Sequence, residues 1–321
     1  MKILIIRFSS IGDIVLTTPV VRCLKEQMPD AEIHFLTKAK FLEIPEGNPY
    51  IDKVHLLQDS LPECIRDLRK EKFDHIVDLH KNLRTFIVRF RLRVSVTSFP
   101  KLNLQKWLLV NFKINRLPEL HIVDRYFDAV KKFQISNDQK GLNYFIPEES
   151  RKKAESYVST FAERFCVFAL AGTWFTKRYP KEKTVELINQ LALPVVLLGG
   201  MQEKTDAEYI EQHTENKVLN LCGKLTLNES AAVVSLSEIV FLNDTGLMHI
   251  ASAFKKKTVS FWGSNVPAFG MYPYHKDHYL GEVKGLSCRP CSKLGKKKCP
   301  KGHFKCMTDI DQEAILQWIS K

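Results

Sequence analysis

At 321 residues the chain is long enough for two domains of ordinary size or one large α/β domain. Its 45% apolar and 10% aromatic residues can build a sizeable core, which excludes global disorder. The formal net charge of +12 points to anionic partners, and no apolar run is long enough to cross a bilayer.

In chain order, Met1–Arg7 is too short an apolar run for a signal peptide, and Asp13 follows closely. Lys2–Phe8 therefore reads as a strand buried on both faces, in a cytoplasmic protein. After Ser9-Ser10-Ile11-Gly12-Asp13 a helix is expected to about Met28, stopped before Pro29. Ala31–Leu36, Val54–Leu57 and His75–His80 are strand-like, with a helix over Leu61–Lys72. His121–Phe133 carries Ile122, Tyr126, Phe127 and Val130 at helical spacing. Polar residues 135–150 form the expected linker.

The alternation then restarts. Cys166–Ala171, Pro194–Leu198, Val218–Leu221, Ile239–Asn243 and Thr258–Trp262 are strand candidates separated by helical spacers. Strands alternating with helices imply βαβ units and parallel sheets. Two such series predict two Rossmann-like α/β domains, residues 1–145 and 146–321, facing a cleft. Ligands in such sheets bind beyond the carboxyl ends of the strands, so the loops just after each strand carry the candidate chemistry.

Three loops stand out. Ser9–Asp13 brings hydroxyls and a glycine to a helix start, where Asp13 is either a cap or a general base. Gly172–Pro180 places Lys177 and Arg178 beside Thr173 and Thr176, a set suited to phosphate. Asp244-Thr245-Gly246-Leu247-Met248-His249 opens a helix after a strand. Its first-turn N–H groups and dipole favour an anion, with Thr245 and His249 on one side. The plainer reading is that Asp244 or Thr245 merely caps this helix and His249 packs internally.

Charge and cysteine are both uneven. Residues 79–118 hold nine Lys/Arg and no acid, residues 283–308 hold eight and no acid, and the remainder has 31 basic against 36 acidic residues. Such segments attract nucleic acid, anionic headgroups or phosphorylated glycans, or simply form solvated faces. Cys23, Cys64, Cys166 and Cys222 lie in apolar contexts. Cys288, Cys291, Cys299 and Cys306 cluster with the spacing of a small metal knuckle, making structural zinc, disulfides or free thiols the alternatives.

Taken in order, Ser9–Asp13, Thr173 with Lys177-Arg178-Tyr179-Pro180, Leu198-Gly199-Gly200 with Glu203, and Asp244–Ala251 resemble the motifs of glycosyltransferase family 9. That family includes the ADP-heptose:lipopolysaccharide heptosyltransferases. The resemblance spans nearly the whole chain and includes the tail Cys288-x-Pro-Cys291 to Cys306-Met307. It implies a GT-B architecture, with the acceptor on the N-terminal domain and the nucleotide sugar on the C-terminal one. It also implies inverting transfer with no catalytic metal or cofactor, acting on a lipid-linked anionic glycan at the cytoplasmic face of the inner membrane.

By position, Asp13 matches the general base and Lys177 the cation beside the donor diphosphate. Thr173, Glu203, Asp244, Thr245, Gly246 and His249 match donor contacts, and Ser10, Gly12, Lys81 and Arg84 fall on the acceptor side. Lys81 stands where the family often has glycine, Leu247 where it often has proline, and the Phe261–Asn265 loop is atypical. The Asp309-Ile310-Asp311 triplet precedes the final helix and reads as a cap rather than a metal clamp. Trp107–Val110 either dips into a membrane interface or forms a buried helix face.

The alternatives are a family 9 transferase using another sugar nucleotide, a basic nucleic-acid-binding protein with a zinc knuckle, and an inactive scaffold. The basic segments lack the aromatic-rich RNP pattern and two-Cys, two-His spacing is absent, which disfavours nucleic acid. Asp13, Lys177 and His249 are all present, which disfavours the inactive scaffold.

Overall fold

The computed structural model describes residues 1–321, which divide into two compact units. The first comprises Met1–Lys101 and Leu120–Phe145. Its sheet holds β1 (Lys2–Ile6), β2 (Glu32–Lys38), β3 (Lys53–Leu57), β4 (His75–Asp78) and β5 (Ser95–Ser98), in the order β3-β2-β1-β4-β5 and all parallel. The central strand β1 is an apolar run, and Ile3 to Ile6 are fully buried, as a strand covered on both faces requires. Leu4, Ile6 and Ile76 pack on one face with Ile65 and Leu68 of the helix Leu61–Lys70.

The single helix expected from Asp13 to Met28 is instead two, Ile11–Val15 and Thr18–Gln27. Pro19 explains the break: it cannot continue a helix but suits a first turn. The hydroxyls of Thr17 and Thr18 donate to the Ile14 and Val15 carbonyls at the junction. The helix expected over His121–Phe133 is regular only from Ile122 to Phe127.

The second unit comprises Leu102–Glu119 and Ile146–Lys321. Its strands are β6 (Cys166–Ala169), β7 (Val195–Leu198), β8 (Val218–Asn220), β9 (Ile239–Asn243), β10 (Lys257–Trp262) and β11 (His278–Glu282). They run parallel in the order β11-β10-β9-β6-β7-β8. Alternate side chains of β6 enter opposite cores: Phe168 stacks on Phe241 and Phe261 on one side, and Val167 and Ala169 join Leu198 and Leu242 on the other.

The expected change of domain at 145/146 coincides with the main boundary between units, but residues 102–119 depart from it. Their helix, Asn103–Phe112, packs in the second unit despite its position in the sequence. Specific polar contacts hold it there. Lys113 Nζ donates to the Pro290 carbonyl at 2.5 Å, and Lys293 Nζ reaches Asn103 Oδ1 at 3.0 Å. The basic segment 79–118 is thus divided between the two units. No helix is long and apolar enough to cross a membrane.

Candidate active site

In the first unit the carboxyl end of β1 delivers Arg7, then the Ser9–Asp13 turn. Arg7 is buried, donates through Nε to the Ser9 carbonyl at 3.1 Å and through Nη1 to the Leu79 carbonyl, and forms an ion pair with Asp13. The Tyr126 ring lies 5.7 Å from its guanidinium carbon. Burial works to lower the pKa of this arginine, but Asp13, reinforced by Tyr126 and Asp78, holds it above the ordinary value.

The N-cap of the helix Ile11–Val15 is Ser10, so Asp13 sits at the third helical position rather than at the cap itself. Its Oδ2 accepts from the Ser10 N–H at 3.1 Å and the Ser10 hydroxyl at 2.8 Å, the reach-back of a capping box. The side chain is nevertheless 21% exposed, so this carboxylate is accessible as well as structural.

The β4 exit supports the same edge. Asp78 is fully buried and accepts from the His80 and Lys81 N–H groups at 3.0 and 2.7 Å. Burial, with Arg7 and Lys101 nearby, pushes the His80 imidazole down to about 4, so it is neutral at physiological pH. Lys81 has φ of +52°, the left-handed conformation that glycine adopts most readily. This accounts for a position at which its resemblance set has glycine. Lys81 is exposed, and its Nζ donates to the Phe99 carbonyl at 3.2 Å. Arg84 is exposed on the helix Leu83–Leu92, and Gly12 is buried on the helix Ile11–Val15.

In the second unit three adjacent strand ends converge. Lys177 follows β6, Asp244 follows β9 and Asn265 follows β10. Lys177 Nζ pairs with Asp244 Oδ2, and Asn265 Nδ2 donates to the same carboxylate. Asn243, the last residue of β9, ties down the Lys177 loop. Its Oδ1 accepts from the Tyr179 N–H at 2.9 Å, and its Nδ2 donates to the Leu170 and Ala171 carbonyls. Thr245 is the N-cap of the helix Gly246–Ala253 and its Oγ1 has no hydrogen-bond partner. His249 is buried on that helix, and Thr173 is exposed.

Glu203 occupies a neighbouring strand exit. Its Oε2 accepts from the Gly200 N–H at 3.0 Å, and its Oε1 lies 3.2 Å from Arg178 Nη2. A Cβ on Gly199 would come within 2.8 Å of the Glu203 Cβ, so only glycine lets this side chain fold back.

The cysteine-rich tail buttresses the loops after β6 and β10. Thr176 exchanges hydrogen bonds with Lys296 and donates to Ser264 Oγ at 3.0 Å, and the Ser264 carbonyl accepts from the Cys291 N–H at 2.9 Å. A Cβ on Gly263 would lie 2.4 Å from the Thr176 carbonyl oxygen, so the contact requires glycine. Cys288, Cys291, Cys299 and Cys306 are all free thiols. Their sulfurs do not meet at metal-ligand spacing; Cys288 Sγ lies 3.8 Å from His303 Nε2. Asp311 accepts from the Ala314 N–H at 2.9 Å and caps the last helix, as its position suggested.

Arg7, Asn243 and Asn265 were not singled out in the sequence as site residues. The available signal was a polar residue at or just beyond the end of an apolar strand, since that is where ligands bind in such sheets.

The chain is 23% identical to lipopolysaccharide heptosyltransferase 1 of Campylobacter coli, across 100% of this chain and 98% of that protein. The glycosyl transferase family 9 structure from Veillonella parvula superposes with a TM-score of 0.81 at 22% identity, covering 99% of this chain and 96% of that one. Escherichia coli heptosyltransferase WaaC with ADP superposes at 0.70, with 21% identity, covering 100% and 99% of the two chains. The two parallel-sheet units thus form a GT-B fold. Residues 63–302 match the family model of glycosyltransferase family 9 (heptosyltransferase). With that match running from the first unit through the loops after β6, β9 and β10 into the cysteine-rich tail, the chain belongs to glycosyltransferase family 9 and is an enzyme of glycosyl transfer.

Proposed function

We propose that the chain transfers a heptose from ADP-heptose to a hydroxyl of a lipopolysaccharide inner-core acceptor, with inversion and without a catalytic metal. The observation that carries the reading is the Lys177–Asp244 pair beside the open helix start at Gly246, a place for a sugar diphosphate. In the reaction the Asp13 carboxylate takes the proton of the acceptor hydroxyl. The acceptor oxygen attacks the anomeric carbon, and the bond from that carbon to the diphosphate oxygen breaks. Lys177, the first-turn N–H groups, Thr245 and His249 stabilise the charge that collects on the leaving diphosphate. Thr173 and Glu203 complete the donor contacts, and Ser10, Gly12, Lys81 and Arg84 stand on the acceptor side.

The reading includes association with the cytoplasmic face of the inner membrane. The helix Leu83–Leu92 buries Thr85 and Val88 yet exposes Leu83, Phe86 and Phe90 along its other face, with Arg84, Arg91 and Arg93 alongside. An apolar stripe flanked by arginines suits an anionic lipid interface. It also includes a structural zinc, for which Cys288, Cys291, Cys299 and Cys306 would have to draw together and Cys291 and Cys306 give up the protons that burial favours.

Melting curves with ADP, UDP, GDP and CMP test the donor. A nucleotide that binds only the folded state raises the melting temperature, and ADP is expected to do so most. A larger shift with another nucleotide transfers the assignment to a different donor.

A further inference from the structure

Asn265 is 4% exposed in the loop after β10. Its Nδ2 donates to Asp244, and its backbone carbonyl accepts from Arg289 Nη2 at 3.0 Å. Its side-chain Oδ1 is buried with no hydrogen-bond partner. The amide cannot be turned over to relieve this. Reversal would set a carbonyl oxygen against the Asp244 carboxylate, which only accepts. A buried carbonyl without a donor is uncommon and destabilising, so the site is built to receive a donor from elsewhere.

The chemistry of that donor is restricted. A diphosphate at neutral pH offers only acceptor oxygens and cannot satisfy Oδ1. A sugar hydroxyl can. Asp244, held by both Lys177 and Asn265, lies at the adjacent strand end, so the vacancy belongs to the same cluster as the donor cation. Arg289 fixes the loop from behind, since its Nε donates to the Gly263 carbonyl at 2.7 Å and its Nη2 lies 2.8 Å from Glu282.

We infer that Asn265 recognises the transferred sugar: Oδ1 accepts a hydrogen bond from one sugar hydroxyl while Nδ2 orients Asp244. This rests on the donor site proposed above and adds a specificity residue to it. Hydroxyls of the ribose or the amino group of the base are the other donors a nucleotide sugar offers, and bare ADP carries both.

Equilibrium titrations of ADP and ADP-heptose into wild type and Asn265→Ala decide between them. The expected result is a loss of about three- to tenfold in ADP-heptose affinity, as for one neutral hydrogen bond, with ADP affinity unchanged. In wild type, a series of donors each lacking one sugar hydroxyl should contain one member with the same loss. That member should lose nothing further in Asn265→Ala, because the shared bond is already gone. Equal weakening of ADP and ADP-heptose, or no weakening of either, overturns the inference. So does a deoxy series in which every member loses equally in wild type and variant. Should Asn265→Ala not fold, Asn265→Ser and the wild-type deoxy series carry the same comparison. If wild type binds neither ADP nor ADP-heptose, the donor reading itself fails, an outcome distinct from a failure at Asn265 alone.

Discussion

Arg7 and Asp13 pair across the turn that follows β1, and the arginine is the more buried partner, 9% against 21% side-chain exposure. The carboxylate proposed as general base is therefore also the counter-ion of a buried cation and the reach-back acid of a capping box. Its three roles make different demands. Capping needs an acceptor, the ion pair needs a charge, and proton abstraction needs an accessible base.

Asp13→Asn separates them. Asn keeps an acceptor for the Ser10 groups but removes the carboxylate paired with Arg7, leaving it the Ser9 and Leu79 carbonyls, Tyr126 and Asp78. A lower melting temperature is therefore expected along with lost activity. A general base contributes roughly 10²–10⁴-fold to rate, and turnover should fall by about that factor. ADP binding reports on the second unit and should be unchanged. Turnover within a few-fold of wild type would leave Asp13 with its structural roles alone.

Removing Lys177 or His249 should act on the donor instead. Each alanine variant is expected to weaken ADP by roughly 1–3 kcal/mol, the range for loss of a charged hydrogen bond. Lys177→Ala also frees Asp244, which would then face the diphosphate as an unscreened negative charge, so it should be the more damaging of the two. Calorimetric titration measures both, and unchanged ADP affinity in the pair would remove these residues from the donor site.

The central strands were legible because their apolar runs, such as Ile3–Ile6 and Val195–Leu198, must be covered on both faces. The strands β5, Ser-Val-Thr-Ser, and β11, His-Tyr-Leu-Gly-Glu, were not, since these two edge strands, unlike β3 and β8, interleave polar residues or glycine and present no short apolar run. The placement of the helix Asn103–Phe112 was hidden for another reason. It depends on contacts such as Lys113 to Pro290, 177 residues apart, that no local pattern encodes. Lys177 and Asp244 stood out as motif members, whereas Asn265 acquires meaning only once β9 and β10 are known to be neighbours.

Acid stability should depend on Asp138. Its carboxylate receives two hydrogen bonds from Arg22, whose side chain is almost fully buried, and these hold its pKa down to about 2. A folded-state pKa below the unfolded value stabilises the native state above pH ~4, and that stabilisation is lost as pH falls toward 2. The shift corresponds to about 2 kcal/mol. Asp138→Asn should lower stability at pH 7 by at least this order, because Arg22 also loses its counter-ion, while the gap from wild type narrows between about pH 4 and 2. Chemical denaturation across that range measures it, and a pH-independent gap would contradict the assignment.

Membrane association is expected to follow the outer face of the helix Leu83–Leu92. Phe86 and Phe90 stack there with ring centroids 6.4 Å apart and are exposed, so replacing both with serine should leave the melting temperature unchanged or higher. Binding to vesicles containing anionic lipid should fall by about tenfold or more, since the buried apolar area is what strengthens such adsorption. Binding should also weaken with salt because of the neighbouring arginines. Vesicle sedimentation with and without anionic lipid gives the result, and equal binding of wild type and the double variant would place the contact elsewhere.

Metal can be tested in two separable ways. In the proposed reaction Lys177 and helix N–H groups serve the diphosphate, so turnover should need no added magnesium; an absolute magnesium requirement would point to a different donor geometry. Chelation, however, reaches the tail as well. Cys291 is bonded through its N–H to Ser264, which contacts Thr176 next to Lys177, so loosening the tail would disturb the donor loop without any catalytic metal being lost. Four thiolate ligands would leave no open position, making any zinc there structural. Burial pushes the Cys306 thiol up to about 11, so zinc binding must release protons and should strengthen as pH rises. Elemental analysis of protein purified without a His tag should give about one zinc per chain. EDTA should then lower the melting temperature, and turnover should decline only in step with unfolding. Less than about 0.2 zinc per chain would exclude a stable four-ligand site and return the four cysteines to free thiols.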